Sequence, residues 1–275
     1  MTLTRGEVLD LLERHQLRPS RALGQNFVTD PNTVRRIARL ADVGPGDHVV
    51  EVGAGLGSLT LALAETGASV VAVETDRYLV PVLRGVVDGK GVEVVEGDAL
   101  RLDWPAVLRD ERWVLVANLP YNIATPLILD LLEQAPGIER MLVMVQREVA
   151  ERLAASAGDS ARGAVSVKVE YWATASLAGK VPATVFVPKP KVESALVQLV
   201  RHDVAPVDVD RASLFRLIDS GFGQRRKMLR RSLAGVIDAS CFEAAGVAPS
   251  ARPEELSLEE WARLAACASS TPGPS

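Results

Sequence analysis

The chain has 275 residues, of which 48% are hydrophobic and 24% are charged, an ordinary balance for a globular protein with one large domain and room for a small accessory one. Its net charge of −4 argues against a protein that is basic throughout, but it does not exclude a locally basic surface. The first 18 residues lack the apolar core of a secretory signal, and the longest uncharged stretch, 113–129, is too short and too polar to span a bilayer. We therefore expect a soluble, cytoplasmic protein without a membrane partner.

Two cysteines, Cys241 and Cys267, are the only ones in the chain. A single pair of cysteines predicts neither a disulfide framework nor a cysteine metal cluster. We therefore expect no metal and a reducing compartment. Independently of the cysteines, we expect a monomer.

The charges are distributed unevenly along the chain. Residues 41–140 contain 7 Lys and Arg against 16 Asp and Glu, whereas the other residues contain 24 against 19. This pattern fits a cofactor domain beside a surface that binds a polyanion, and it fits scattered solvated charges equally well.

Five short runs rich in β-branched residues alternate with helical patterns in the first half of the chain. They lie at 48–52, 70–73, 92–95, 114–117 and 141–145. Strands at this spacing predict βαβ units and a parallel sheet covered on both faces. Asp30-Pro31 and Thr125-Pro126 each resemble an N-cap followed by a first-turn proline, and they predict two helix starts.

The pattern changes beyond residue 171. Segments 177–181 and 194–200 are typical of strands around a proline-rich loop, which predicts an antiparallel addition to the sheet edge. Helices follow at 212–222, 225–236, 238–245 and 258–267. We predict an α/β domain over 1–205, a helical RNA-binding domain over 206–268 and a disordered tail over 269–275.

A glycine-rich loop follows the first of these strands, with Gly53, Gly55 and Gly57 after Glu51. Glycines at such a turn let the backbone approach a ligand closely. Ser58 stands where a dinucleotide-binding loop has its third glycine, so the pattern favours a ligand without a pyrophosphate. A tight turn without any ligand is the alternative.

Acidic residues end the next two strands. Glu74 follows the glycine loop by about 20 residues, where a carboxylate accepts both hydroxyls of a ribose. Asp98, followed by Ala99, ends the third strand, where it can accept from an adenine amine or cap a helix. Together the three loops predict a site for an adenosine-containing cofactor.

The fourth strand runs into Asn118-Leu119-Pro120-Tyr121. We predict a site for an aromatic amine here, with catalytic roles for Asn118, Pro120 and Tyr121. The Asn118 side-chain oxygen and a backbone carbonyl in the Pro120 region would accept the two hydrogens of the amine and orient its lone pair, and the proline would direct the carbonyl that precedes it. Tyr121 would stack on the extruded base. Taken alone, the tetrapeptide could also be a proline turn with a buried tyrosine.

These motifs resemble those of the bacterial small-subunit ribosomal RNA adenine dimethyltransferases. The likeness extends almost from end to end and includes residues 23–28, 118–126, 145–150, 186–194 and 225–230. It implies a Rossmann-like domain that binds S-adenosylmethionine, a small helical domain, and dimethylation of two adjacent adenosines in the 3′-terminal hairpin loop of 16S ribosomal RNA during subunit assembly. The matching positions implied to contact the cofactor, with their neighbours in the same loops, are Asn26, Val28, Gly53, Gly55, Glu74, Asp98, Ala99 and Asn118.

The resemblance also suggests that the segment around Asn26 folds over the cofactor. The family usually has a proline at the position of Ala54 and a leucine at that of Val28, and neither replacement threatens cofactor binding. Phe186 is expected to be a second stacking face for the target base, with a core aromatic as the alternative.

A basic cluster lies in the predicted helical domain. It consists of Arg225, Arg226, Lys227, Arg230 and Arg231, and it predicts a phosphate-binding surface or, alternatively, a solvated helix face. Met228 and Leu229, which interrupt the cluster, are expected to face inward.

Other classes of protein remain open at this point. One is a resistance-type methyltransferase with the same site that acts on large-subunit RNA. A nicotinamide oxidoreductase is disfavoured by Ser58, and a non-catalytic RNA-binding protein is disfavoured by the intact amine motif.

Overall fold

The structure is a computed structural model that describes residues 2–109, 111–224 and 227–270. The described chain forms two compact units. The first runs to Ala150 and includes Ser176–Arg201, and the second consists of Glu151–Ala175 and the residues from His202 onward. The segment 151–175 thus groups with the C-terminal helices, whereas the sequence-based division places it in the first domain. That division into separate domains stays a prediction.

The first unit contains a seven-stranded sheet with the strand order β4-β3-β2-β5-β6-β9-β7. The strands are β2 (His48–Val52), β3 (Ser69–Glu74), β4 (Val92–Glu96), β5 (Trp113–Asn118), β6 (Ile138–Gln146), β7 (Ala173–Val181) and β9 (Ser194–Arg201). β2 to β6 pair in parallel, and β9 pairs with β6 in the antiparallel sense. The predicted α/β class and antiparallel edge addition are confirmed.

Helices connect the parallel strands, as the alternating pattern predicted. They are α3 (Ser58–Ala64), α4 (Val80–Val86), α5 (Trp104–Leu108) and α6 (Ala124–Gln134), whereas α2 (Pro31–Ala41) precedes β2. β2, β3 and β5 are almost entirely buried because helices cover the sheet, whereas the edge strand β4 is only partly buried. The carboxyl ends of β2, β3, β4 and β5 therefore meet at one edge, where their loops can surround a ligand.

Of the two predicted helix starts, one is confirmed and one is wrong. Asp30 caps α2 by accepting a hydrogen bond from the Thr33 amide at 2.9 Å. α6 begins at Ala124 with Ile123 at the N-cap position, so Thr125 lies inside the first turn. The Pro120 carbonyl accepts from the amides of Ile123 and Ala124, and this starts the helix earlier than the Thr-Pro pair predicts.

The N-terminal segment carries α1 (Arg5–Arg14) and the short strand β1 (Phe27–Val28). β1 pairs in the antiparallel sense with β8 (Phe186–Val187), in the proline-rich loop before β9. This pairing brings residues 27–28, from the start of the first unit, next to residues 186–187, from its end, and both lie beside the glycine loop.

The second unit is helical and has its own core. It contains the last three residues of α7 (Arg147–Leu153), together with α8 (Ala164–Trp172), α9 (Arg211–Phe222), α10 (Leu229–Ser232), α11 (Ser240–Ala244) and α12 (Leu258–Ser270). Trp261 and Leu229 are fully buried in this core. Two predictions need correction. The helix expected over 225–236 is reduced to α10, and the last helix extends two residues into the predicted tail.

Cys241 and Cys267 form a disulfide that links α11 to α12. The expectation that these cysteines build no disulfide framework is therefore wrong for this pair. Their Cα atoms lie 5.6 Å apart because the two helices pack together, which a count of cysteines does not reveal. The cysteine content consequently gives no support for a reducing compartment.

No helix in the described part of the chain is long and apolar enough to cross a membrane.

Candidate active site

A deep pocket lies at the carboxyl edge of the parallel strands in the first unit. Its walls are the loops after β2, β3, β4 and β5 and the N-terminal residues 23–28. Apart from Phe186, all residues that the sequence placed in the cofactor and amine sites line it: Asn26, Val28, Gly53, Gly55, Glu74, Asp98, Ala99, Asn118, Pro120 and Tyr121. The structure thus brings together four loops that are far apart in sequence.

The glycine loop turns with left-handed backbone angles, φ +74° at Gly53 and +60° at Gly55. A Cβ on Gly55 would lie 3.0 Å from the Phe27 ring. Glycine is therefore required at this position both for the turn and for the close approach of the N-terminal segment.

Glu74 is buried and is held by backbone donors at both oxygens. Oε2 accepts from the Gly55 amide at 2.7 Å, and Oε1 accepts from the Asp76 amide at 2.9 Å. Burial raises the pKa of Glu74, and the backbone hydrogen bonds oppose this rise. Each oxygen keeps a second lone pair, so the fixed carboxylate can still accept hydroxyl groups of a ligand.

Glu51 also lines the pocket, and the sequence reasoning did not assign it a role. Burial, with the nearby charge of Glu74 as a smaller contribution, raises the pKa of Glu51 to about 8. Its Oε2 has no hydrogen-bond partner among the described residues. An acidic residue inside the valine-rich run of β2 was the signal that could have identified it, since such a residue is rarely buried without a partner.

Asn118 is oriented by the N-terminal segment. Its Nδ2 donates to the Asn26 carbonyl at 3.0 Å, and no hydrogen bond to its Oδ1 is found among the described residues. The amide is thereby fixed with its oxygen available as an acceptor in a pocket-lining position.

The N-terminal segment is itself tied down across the site. The Gln25 side chain donates to Asp76 at 2.8 Å, and the Asn26 side chain donates to the Gly24 carbonyl at 3.0 Å. The segment thus spans from the loop after β3 to the loop after β5 and covers one side of the pocket.

The tetrapeptide after β5 has two backbone carbonyls that could accept a hydrogen bond from a substrate, those of Leu119 and Pro120. The Pro120 carbonyl already accepts from Ile123 and Ala124 at 3.2 and 3.1 Å. The Leu119 carbonyl, which precedes the proline ring, has no such role among the described residues. Of the carbonyls in the Pro120 region, the one of Leu119 is therefore the candidate for the predicted backbone acceptor, and this role stays a prediction.

Tyr121 lines the pocket with its ring and is anchored at its hydroxyl. The hydroxyl lies 2.8 Å from Ser194 Oγ, and either group can donate. Ser194 is completely buried at the start of β9. Burial raises the pKa of Tyr121.

Phe186 is brought next to the site but not into it. It is 1% exposed, pairs with Val28 through the backbone of β8 and β1, and belongs to the core cluster under the sheet. In this conformation its ring has no open face for a base. A stacking role would require this segment to move, and it stays a prediction.

The basic cluster lies in the second unit and is described only in part. Arg225 and Arg226 lie outside the described residues. Lys227, Arg230 and Arg231 are exposed, as a phosphate contact requires. Leu229 faces inward as expected, whereas Met228 is 41% exposed, because the helix begins only after it.

Comparison with known proteins identifies the family. The model of the family described as ribosomal RNA adenine dimethylase matches residues 15–269. Two proteins named ribosomal RNA small subunit methyltransferase A are similar over nearly the full length. The protein from Kineococcus radiotolerans is 46% identical, with 96% of this chain and 91% of the relative covered. The one from Thermobifida fusca is 47% identical, with coverage of 96% and 95%.

Solved structures agree on the architecture. The 23S rRNA methyltransferase ErmE is 28% identical with a TM-score of 0.69, covering 88% of this chain and 99% of its own. A dimethyladenosine transferase from Plasmodium falciparum is 23% identical with a TM-score of 0.75, covering 86% and 95%, and it supports the fold alone. From the family match and the relatives together, this chain belongs to the ribosomal RNA adenine dimethylase family and is a methyltransferase.

Proposed function

We propose that this protein uses S-adenosylmethionine to dimethylate the N6 amines of two adjacent adenosines in the 3′-terminal hairpin loop of 16S ribosomal RNA. The reaction takes place in the cytoplasm during assembly of the small subunit. Support for the choice of subunit comes from relatives that carry the small-subunit name at 46–47% identity over almost the whole chain.

The polar groups that line the pocket suit the binding of S-adenosylmethionine. Glu74 would hold the ribose hydroxyls, and Asp98 and Ala99 would hold the adenine edge. The backbone at Gly53 and Gly55 would contact the ligand atoms that come closest to the glycine loop. The unpartnered Glu51 oxygen marks a polar group that the protein leaves to a ligand. When bound, S-adenosylmethionine supplies a methyl group that is already activated for transfer by its positively charged sulfur.

The difficult part of the reaction is the nucleophile, because the N6 lone pair of adenine is delocalised into the ring. Asn118 Oδ1 and the Leu119 carbonyl would accept the two N6 hydrogens and favour a pyramidal nitrogen with its lone pair free. A strong general base is unnecessary because N6 becomes acidic once it is alkylated, and its proton can then pass to water. Tyr121 would hold the adenine ring by stacking, a contact worth about 1–3 kcal/mol.

The observation that carries this proposal is the orientation of Asn118. With Nδ2 engaged by the Asn26 carbonyl at 3.0 Å, the amide cannot rotate to present a donor to the amine without losing that bond. Acceptors fixed before the substrate arrives cost no reorganisation in the transition state, and this is the main source of electrostatic catalysis.

The test is a direct comparison of RNA substrates. Purified protein is given labelled S-adenosylmethionine with undermethylated small subunits or, separately, with undermethylated large subunits. We expect label in two adjacent dimethyladenosines of the small-subunit RNA. Label confined to large-subunit RNA would overturn the choice of substrate and favour the activity named for ErmE, to which this chain is 28% identical.

A further inference from the structure

The hydroxyl of Tyr121 has a partner that the stacking role does not require. We infer that Ser194 is a positioning residue that holds the Tyr121 ring in the orientation needed to receive the target adenine. This inference rests on the proposed function and concerns how the same site orients its substrate.

The hydrogen bond joins a pocket-lining ring to a rigid support. Tyr121 lines the pocket, and its hydroxyl lies 2.8 Å from Oγ of Ser194, which is not among the lining residues. Ser194 is completely buried and does not line the pocket. A hydroxyl in that position is available to Tyr121 and not to a ligand, so it can act on the reaction only through the tyrosine.

The position of Ser194 is itself strongly fixed. Ser194 pairs with Gln146 in the antiparallel ladder of β9 and β6. The carbonyl of its neighbour Glu193 accepts from the Arg147 amide at 3.0 Å, and the Glu193 and Arg147 side chains form an ion pair at 3.6 Å. The support is thus anchored in the sheet that also carries Asn118, since β6 pairs with β5.

Stacking alone would leave the ring free to tilt about its side-chain bonds. A second attachment at the hydroxyl removes that freedom, and small displacements at a reacting centre cost large factors in rate. Dimethylation makes the demand stricter, because monomethyladenosine has only one N6 hydrogen left for the two acceptors. A loosely held ring should therefore impair the second transfer more than the first.

The test is a double-mutant cycle of Ser194→Ala and Tyr121→Phe on undermethylated small subunits. We expect each single variant to lower the single-turnover rate by about 5–30-fold and to accumulate monomethyladenosine, with S-adenosylmethionine affinity unchanged within about twofold. The double variant should be no slower than the slower single variant, because both changes remove the same bond. Ser166→Ala and Tyr171→Phe, which remove a buried serine hydroxyl and a tyrosine hydroxyl from the second unit, are the matched controls.

Fluorine NMR with 3-fluorotyrosine separates positioning from general damage, since the chain has three tyrosines. In Ser194→Ala the Tyr121 resonance should shift or broaden while those of Tyr78 and Tyr171 stay unchanged. A wild-type rate and product ratio in Ser194→Ala, or losses that multiply in the double variant, would overturn the inference. If Ser194→Ala fails to fold, Tyr121→Phe alone tests the inference. A wild-type product ratio in Tyr121→Phe would also overturn the inference. Failure of the wild-type protein to methylate N6 at all would instead refute the proposed function.

Discussion

The pocket has two halves that are built in different ways. The cofactor half consists of Gly53, Gly55, Glu74, Asp98 and Ala99, and the amine half consists of Asn118, Leu119, Pro120 and Tyr121. Glu74 is held by amides 19 and 2 residues away in sequence. Asn118 and Tyr121 are held by partners 92 and 73 residues away.

This difference separates what each half needs from the rest of the fold. The cofactor half is set by neighbouring βα units, so a short stretch of chain already contains its geometry. The amine half depends on an N-terminal segment and on the start of β9, which meet only when the sheet is complete. Disturbing the first half should change cofactor binding, whereas disturbing the second should change the chemical step and the distribution of products.

The largest effect is expected for Asn118→Ala. Loss of a preorganised hydrogen-bonding group typically lowers a rate by about 10²–10³-fold. We expect a loss of that size in single-turnover methylation, with RNA binding nearly unchanged. A smaller loss of cofactor affinity is also expected, since Asn118 lines the same pocket.

Asn122→Ala provides the matched control for this comparison. Asn122 is exposed, and among the described residues its side chain makes one long hydrogen bond, of 3.5 Å, to the Ala22 carbonyl. Its replacement should leave the rate within about twofold. If Asn118→Ala loses cofactor affinity by the same factor as rate, the division between the two halves is wrong.

Glu51 predicts a dependence of stability on pH. Its folded pKa of about 8 lies above the ordinary value of 4.5, so between these values the folded protein binds a proton that the unfolded chain has lost. The free energy of unfolding should therefore fall as the pH rises from about 4.5 to 8, by a few kcal/mol, since one pKa unit corresponds to about 1.4 kcal/mol.

Glu51→Gln keeps the shape of the protonated acid and should remove most of this slope. Urea unfolding at pH 5, 6.5 and 8 measures it, with Glu96→Gln as a control at an exposed position on the edge strand β4. Identical slopes for Glu51→Gln and the wild-type protein would show that Glu51 is ionised in the folded state at neutral pH.

A smaller effect is expected for Glu74→Ala, which removes a charged acceptor from the cofactor half. Hydrogen bonds to charged groups contribute about 1.5–3 kcal/mol, so S-adenosylmethionine affinity should fall by about tenfold or more. Calorimetry measures the affinity, with Glu96→Ala, the register partner of Glu74 on β4, as control. At saturating cofactor the ratio of monomethylated to dimethylated product should stay that of the wild type. Unchanged affinity would remove Glu74 from the cofactor site.

The sequence located the residues that line the pocket, apart from Glu51, but it did not predict the partners that hold Asn118 and Tyr121. The binding roles of these residues stay predictions. Glycine spacing and acidic strand ends are local patterns, and they located Glu74 and Asp98 at the pocket. The support of Tyr121 by Ser194 has no local signal, because it depends on the register of β9 against β6. At Phe186 the family motif suggested a face open to the target base, whereas the pairing with β1 buries the ring, so the stacking role stays a prediction.

The smallest effect, and the one that belongs to neither half, is expected for the basic cluster. Lys227, Arg230 and Arg231 are exposed in the second unit, where phosphate binding would leave the pocket untouched. Replacing all three with Ala should flatten the dependence of RNA affinity on salt, by about 0.7–0.9 in the logarithmic slope for each phosphate that is no longer neutralised. Cofactor affinity and the product ratio at saturating RNA should not change.

The double variant Arg84→Ala and Lys90→Ala controls for the loss of positive charge alone, because it removes two exposed cations on or just beyond α4. Because counterion release depends on direct phosphate binding and not on net charge, the control should weaken binding little and keep the wild-type slope. If the salt dependence flattens equally in both sets of variants, RNA binding depends on the overall positive charge of the protein. The basic cluster would then be only a solvated face.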